Sequence, residues 1–117
     1  MAIGFGLATA AAAKSNKPDG VPTGMWIVYC DHTIALSAAI GVIEPNSSDS
    51  FVDEKFTKIE QKLRRDAKKI TPKNSTFGKQ VLKLAKAVGK TREDWLSSGR
   101  LKLRALAIAV EPMPDCG

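Results

Sequence analysis

The sequence predicts an α+β fold in which a small antiparallel sheet of about three strands packs against two amphipathic helices. Apolar residues alternate in segments 25–43 and 101–110, a period that is typical of half-buried strands. Apolar residues recur at helical spacing in segments 51–70 and 76–89. The length of 117 residues is sufficient for one domain with a single core.

The N-terminal region differs in composition from the rest of the chain. Residues 1–13 are small and apolar, and residues 14–24 contain two prolines and two glycines, a composition typical of a linker. No basic residue precedes the apolar stretch, which disfavours a secretory signal. We interpret residues 1–24 as an arm with its linker, packing on the core or on a neighbouring subunit, and residues 25–117 as a single α+β domain.

Two strands are predicted near 25–30 and 33–43. On an extended chain, Ile34, Leu36 and Ile40 share one face, while the opposite face carries small residues. A helix is the alternative for 33–43, because alanine and leucine favour helices. Asp31 and His32 interrupt the apolar run and are costly in a bilayer, so we expect no membrane association.

The middle of the chain predicts helices. Ser50 is a candidate cap for the first helix, over 51–70, and Thr71-Pro72 ends it. The second helix, over 76–89, begins near Asn74, Ser75 or Thr76 and stops at Gly89. A short third helix follows near 92–98. Segment 101–110 is interpreted as the last strand, with a helix as the alternative.

Positive charge is concentrated in the predicted helical region, 51–104. Sixteen of the 18 lysines and arginines lie between Lys55 and Arg104, and the chain has a net charge of +6. Such asymmetry attracts a polyanion or an acidic partner. The basic residues recur at helical spacing in two rows. They are Lys55, Lys58, Lys62, Arg65 and Lys69 on the first helix and Lys79, Lys83, Lys86 and Lys90 on the second, with Arg92 after them.

These rows predict a non-enzymatic, nucleic-acid-associated small basic protein of bacterial or phage origin. Lysine neutralises phosphates without reading bases, so DNA or RNA would be bound through its backbone. An acidic protein surface is the other partner that the charge allows. Neither a cofactor nor a metal is expected, since the chain has no CxxC or His-Cys cluster.

Segment 80–98 resembles a helix-turn-helix of the phage-repressor type. Ala85 stands where the two helices would cross, Gly89 at the turn, Thr91 at the cap of the second helix and Trp95 at a buried position. The resemblance implies a DNA-reading role, with Arg92 among the residues that face the groove.

Two other functions are compatible with the sequence. A structural or assembly subunit, of a virion or a large complex, would use the N-terminal arm for protein contacts. A ribonuclease-type toxin would use His32, the single histidine, which could also share a strand face with Cys30 as a nucleophile pair. Cys30 and Cys116 are 86 residues apart and are either one disulfide or two free thiols. Free thiols would suit the cytoplasmic, or virion-associated, location that we expect.

Overall fold

The computed structural model describes residues 16–116, and these form four α-helices. They are α1 (Thr23–Val42), α2 (Asp49–Ile70), α3 (Ser75–Ser98) and α4 (Arg104–Val110). None of the described residues forms a β-strand, so the predicted α+β fold is wrong and the fold is all-α. α2 and α3 form an antiparallel hairpin, α1 packs on α2, and α4 packs on α3.

Side-chain caps define where the two long central helices begin. Ser48 Oγ accepts a hydrogen bond from the Phe51 N–H, and Asn74 Oδ1 accepts one from the Phe77 N–H. α2 ends before Thr71-Pro72, as predicted. Thr71 still has helical backbone, but Pro72 has no N–H to donate the next helical hydrogen bond. The helix predicted over 51–70 is thus observed as Asp49–Ile70, with its cap two residues before the predicted one.

The segment predicted as two strands is the single helix α1. Its buried residues follow helical spacing, and they are Trp26, Tyr29, Cys30, Thr33, Leu36 and Ala39. The alternation was misleading because this segment is apolar on almost every side. When inward and outward positions are both apolar, a period of two is no longer diagnostic of a strand. The alanines and leucine then favour the helix.

α3 continues through the predicted stop and turn. Gly89 is buried inside the helix, and the Glu60 side chain of α2 lies where a Cβ on Gly89 would stand. Thr91 Oγ1 donates to the Ala87 carbonyl oxygen and therefore caps no new helix. The separate helix near 92–98 and the helix-turn-helix are both wrong, since the glycine serves close packing between α2 and α3. The helix ends at Gly99, which has a φ of 69°.

The predicted last strand is also helical. Residues 101–103 lead into α4, in which Leu106 is fully buried. After α4 the tail crosses to α1, where Cys116 forms a disulfide with Cys30. Of the two alternatives, the disulfide is the one observed, because the turn after α4 brings the two cysteines together.

An aromatic cluster joins α1 to α3 in the core. The ring centroids of Trp26 and Tyr29 are 5.4 Å apart, and Phe77 meets Tyr29 edge-on at 5.1 Å. The same hydrophobic core also contains Phe56 and Leu63 of α2 and Val81, Leu84 and Val88 of α3. Trp26, Tyr29 and Trp95 are all buried, so none of them offers a face to a nucleic-acid base.

Candidate partner-binding surface

The two flanks of α2 differ in chemistry. The flank toward α3 carries carboxylates: Asp53 accepts a hydrogen bond from Arg92, and Glu60 packs over Gly89. The flank toward α1 carries the predicted basic row, since Lys55, Lys58 and Lys62 border the groove between the two helices. The lysines of α2 are therefore brought next to α1.

The basic row of α3 lies elsewhere. Lys79, Lys83, Lys86 and Lys90 are all exposed and occupy the side of α3 opposite its buried residues. Because the flank of α2 that meets α3 carries Asp53 and Glu60, acidic groups separate the two rows. The structure does not merge the ten predicted residues into one continuous surface.

Ion pairs engage three of the ten predicted residues. Lys58 bonds to Glu54 at 2.9 Å, Lys90 lies 3.5 Å from Asp94, and Arg92 lies 3.2 Å from Asp53. The hydrogen bond from Lys58 lowers the pKa of Glu54, and its charge adds to the effect. Within residues 16–116 the other seven form no ion pair, and all of them are exposed. They are Lys55, Lys62, Arg65, Lys69, Lys79, Lys83 and Lys86.

Arg92 has a structural position between α2 and α3. Only a quarter of its side chain is exposed, and its Nε is buried without a hydrogen-bond partner among the described residues. Its guanidinium faces Asp53, while the neighbouring Trp95 Nε1 donates to Asp49. The Arg92 side chain thus links α3 to α2, and a phosphate would have to compete with Asp53 for its guanidinium.

A groove runs between α1 and α2 on the side of the α2 lysines. At one end Ala35, Ala38 and Val42 of α1 face Lys55, Lys58 and Lys62 across a volume of about 360 Å³. At the other end Gly24, Met25 and Val28 of α1 face Lys69 and Ile70 across about 460 Å³. We call both ends together the α1–α2 groove; its α1 side is apolar, and its α2 side carries four lysines together with Glu54 and Asp66.

A buried polar pair joins α1 to α2 between these two ends. The Nδ1–H of His32 on α1 donates to Oδ2 of Asp66 on α2, and their side chains are 19% and 7% exposed. The candidate nucleophile pair of Cys30 and His32 is wrong, because Cys30 is held in the disulfide and has no thiolate to offer. The described residues contain no group of side chains that could hold a metal ion.

The ionisation of Tyr29 tests whether the core around its side chain is closed to water. Burial raises the pKa of Tyr29, and the nearby Asp66 carboxylate raises it further. Since Tyr29 is the single tyrosine, phenolate absorbance reports on it alone, and we expect it to ionise only as alkali unfolds the protein. Above pH about 10 the unfolded state loses this proton first, so the free energy of unfolding should fall by about 1.4 kcal/mol per pH unit. Tyr29→Phe should remove that slope, whereas a phenolate titrating near pH 10 in folded protein would contradict the burial.

α1 also has the length and apolarity of a membrane-spanning helix. It is the single such helix between residues 16 and 116, and a third of the relevant window is buried inside the protein. Core helices of soluble proteins pass the same test. Here the helix is tied to the tail by the disulfide and to α2 by the His32–Asp66 pair.

Sequence reasoning missed the α1 side of the groove and the role of Asp66. The α1 side of the groove could have been found from the sequence. A helix that is apolar on almost every side leaves one apolar side uncovered when it packs on a two-helix hairpin. The signal for Asp66 was its place between Leu63 and Ile70, on the buried side of α2. The apolar part of the predicted arm, residues 1–13, lies outside the described residues. No family model, no curated protein and no solved structure matches this chain.

Proposed function

We propose that this protein is a non-enzymatic binding protein that takes a polyanionic partner on the lysine row of α2. The observation that carries the proposal is the group of Lys55, Lys62, Arg65 and Lys69. These side chains are exposed on one flank and form no ion pair within the described chain. Unpaired cations in a row gain more from a polyanion than cations already bound to Asp or Glu, because no existing ion pair must be broken.

Nucleic acid is the polyanion that the sequence predicts, and it would be bound by its phosphates. Duplex DNA and RNA labelled with a fluorophore, titrated at several salt concentrations, measure the number of phosphate contacts. Each contact contributes about 0.9 to the slope of log affinity against log salt for duplex DNA. Absence of binding even at low salt would remove nucleic acid as the partner.

The two rows provide matched variants for locating the contact. We expect Lys55→Gln/Lys62→Gln/Lys69→Gln to weaken polyanion binding about tenfold or more and to reduce the DNA salt slope by about 3. Lys79→Gln/Lys83→Gln/Lys86→Gln changes the net charge equally on α3 and should have a smaller effect. Equal losses in both variants would mean that net charge alone drives binding.

We further infer that the protein works in an oxidising compartment. Disulfides persist in secreted, periplasmic and virion-surface proteins and are rare in the cytoplasm. The Cys30–Cys116 bond supports such a location, and the cytoplasmic prediction depended on free thiols. Intact mass of the purified native protein, lower by two hydrogens than that of the reduced chain, would verify the bond.

The two other predicted functions remain predictions. Assembly, as a homo-oligomer or in a larger complex, is predicted through residues 1–20, of which the structure describes 16–20. A ribonuclease role for His32 would require its imidazole to act while paired with Asp66. Cleavage of tRNA by the wild type and equally by His32→Ala would exclude that role.

A further inference from the structure

The outward side of α1 is apolar and uncovered within residues 16–116. Val28 is 46% exposed and Val42 is 54% exposed, although both belong to a helix whose opposite side is the core. Between them lie Asp31, Ala35 and Ala38, so a single acid interrupts the apolar surface. Exposed apolar surface of this extent along one helix is typical of an interaction site.

The groove beside this surface has the dimensions of a helix-binding site. Its two ends extend from Gly24 to Val42 along α1, a distance of about 27 Å at 1.5 Å per residue. An α-helix of about 18 residues has the same length. The α1 side of the groove consists of Gly24, Met25, Val28, Ala35, Ala38, Ala39 and Val42, and a partner backbone can approach closely at the glycine and the three alanines.

Four lysines line the α2 side of the groove, while Glu54 and Asp66 on that side are already paired with Lys58 and His32, so the remaining positive charge favours an acidic occupant. Lys55, Lys62 and Lys69 recur every seven residues and so lie almost on one line along α2. None of them has an ion-pair partner in the described chain. A helix that packs apolar residues on α1 would place its neighbouring flank along this line, where Glu or Asp would be stabilised.

We propose that the α1–α2 groove binds an acidic amphipathic helix of a partner protein. This inference rests on the proposed function for its use of the α2 lysines and adds the apolar side of α1. It corresponds to the helix-in-groove mode of peptide recognition, in which apolar anchors repeat at helical spacing. The partner helix would bury its apolar side on α1 and bond its carboxylates to the lysines.

The same observations disfavour the other occupants. A second copy of this chain would bring two lysine rows together, and like charges repel. Nucleic acid would leave the apolar side of the groove unused. A bilayer would have to accommodate Asp31 in the middle of the contact. Residues 1–15 of this chain contain no Asp or Glu that could pair with the lysines.

A synthetic peptide tests the proposal on the full-length, disulfide-bonded protein. The probe is a helix of about 18 residues with leucines on one side and glutamates on the flank, and its control is a scrambled peptide of the same composition. We expect the probe to bind in the micromolar range and to shift amide NMR signals of α1 and α2 only. The control should bind at least about tenfold more weakly. Equal binding by both peptides, or shifts concentrated on the α3 lysines, would overturn the proposal.

Two variants with equal charge changes separate the groove from the net charge. Ala38→Glu places a carboxylate in the apolar side, whereas Thr76→Glu places one at the exposed start of α3. We expect Ala38→Glu to weaken peptide binding about tenfold and Thr76→Glu to change it less than about twofold. Equal effects would contradict the groove. Circular dichroism of both variants should match the wild type, and if Ala38→Glu is unfolded, Ala35→Gln replaces it with the same expected direction.

Duplex DNA and vesicles of anionic lipid complete the test. If the triple α2 lysine variant loses no affinity for DNA, peptide or vesicles, the proposed function itself fails. If the lysines matter for DNA but the peptide does not bind, the helix-binding inference fails and the proposed function stands. Sedimentation with anionic vesicles that depends on Ala38, in the absence of peptide binding, would identify a membrane surface as the occupant and overturn the inference.

Discussion

Replacing both cysteines by serine, as Cys30→Ser/Cys116→Ser, is expected to lower the free energy of unfolding by about 4 kcal/mol. The bond joins residues 86 positions apart, so it removes much of the conformational freedom of the unfolded chain. The tail it holds also covers the core, because Met113 Sδ accepts a hydrogen bond from the Tyr29 hydroxyl. Urea unfolding followed by Trp fluorescence measures the change.

Reduced wild-type protein is the control for this variant. Its midpoint in urea should match that of the serine variant, since both lack the covalent constraint and keep a residue of similar size. A loss below about 1 kcal/mol would mean that the bond contributes little, against the usual range for long loops. A reduced protein much less stable than the serine variant would indicate that free thiols themselves disturb the core.

His32→Ala is expected to cost about 3 kcal/mol of unfolding free energy, because it leaves the buried Asp66 carboxylate without its partner. Asp66 is 7% exposed, so water cannot fully replace the lost hydrogen bond. Asp66→Asn keeps the volume and an acceptor for the His32 Nδ1–H, so its cost should be below about 1.5 kcal/mol. Urea unfolding at constant pH measures both variants.

The double variant His32→Leu/Asp66→Leu tests the pair as a whole. It removes donor and acceptor together and replaces them with apolar side chains, so it should be more stable than His32→Ala. Such a result would show that the cost of the single variant comes from an unpaired buried group. If the free energy of unfolding of His32→Ala stays within about 0.5 kcal/mol of the wild-type value, water solvates the Asp66 carboxylate and the prediction of a buried pair is wrong.

Local signals were sufficient to predict α2 and most of α3. A polar cap, apolar residues three and four apart and a closing Thr-Pro pair are contained within a few residues of sequence. They predicted Asp49–Ile70 nearly to its ends. The exposure of the predicted basic residues other than Arg92 followed from the same periodicity, because positions between the buried ones must face outward.

The rest of the fold depends on contacts distant in sequence. Gly89 resembles a helix stop until Glu60, 29 residues earlier, is found packed against it. α1 resembles two strands because its outward side is as apolar as its inward side, and only the hairpin determines which side is buried. The meeting of Cys30 with Cys116 depends on the turn after α4, which no local pattern indicates.

The candidate surface was predicted in part. The lysines were identified, but the relation between their rows was not, because it depends on which flank of α2 faces α3. Asp53 and Glu60 determine that flank through Arg92 and Gly89. A helical wheel gives the direction of each side chain about its own axis and gives no information about the neighbouring helix.

The two-flank organisation of α2 has a consequence for how this protein can evolve. Its packing residues face α3, whereas Lys55, Lys62 and Lys69 make no contact on which the hairpin depends. Substitutions among these lysines can therefore alter partner preference at little cost in folding stability. Lineages that face different partners could diverge rapidly at these positions while Gly78 and Gly89, where a Cβ would collide with Thr71 or Glu60, stay unchanged.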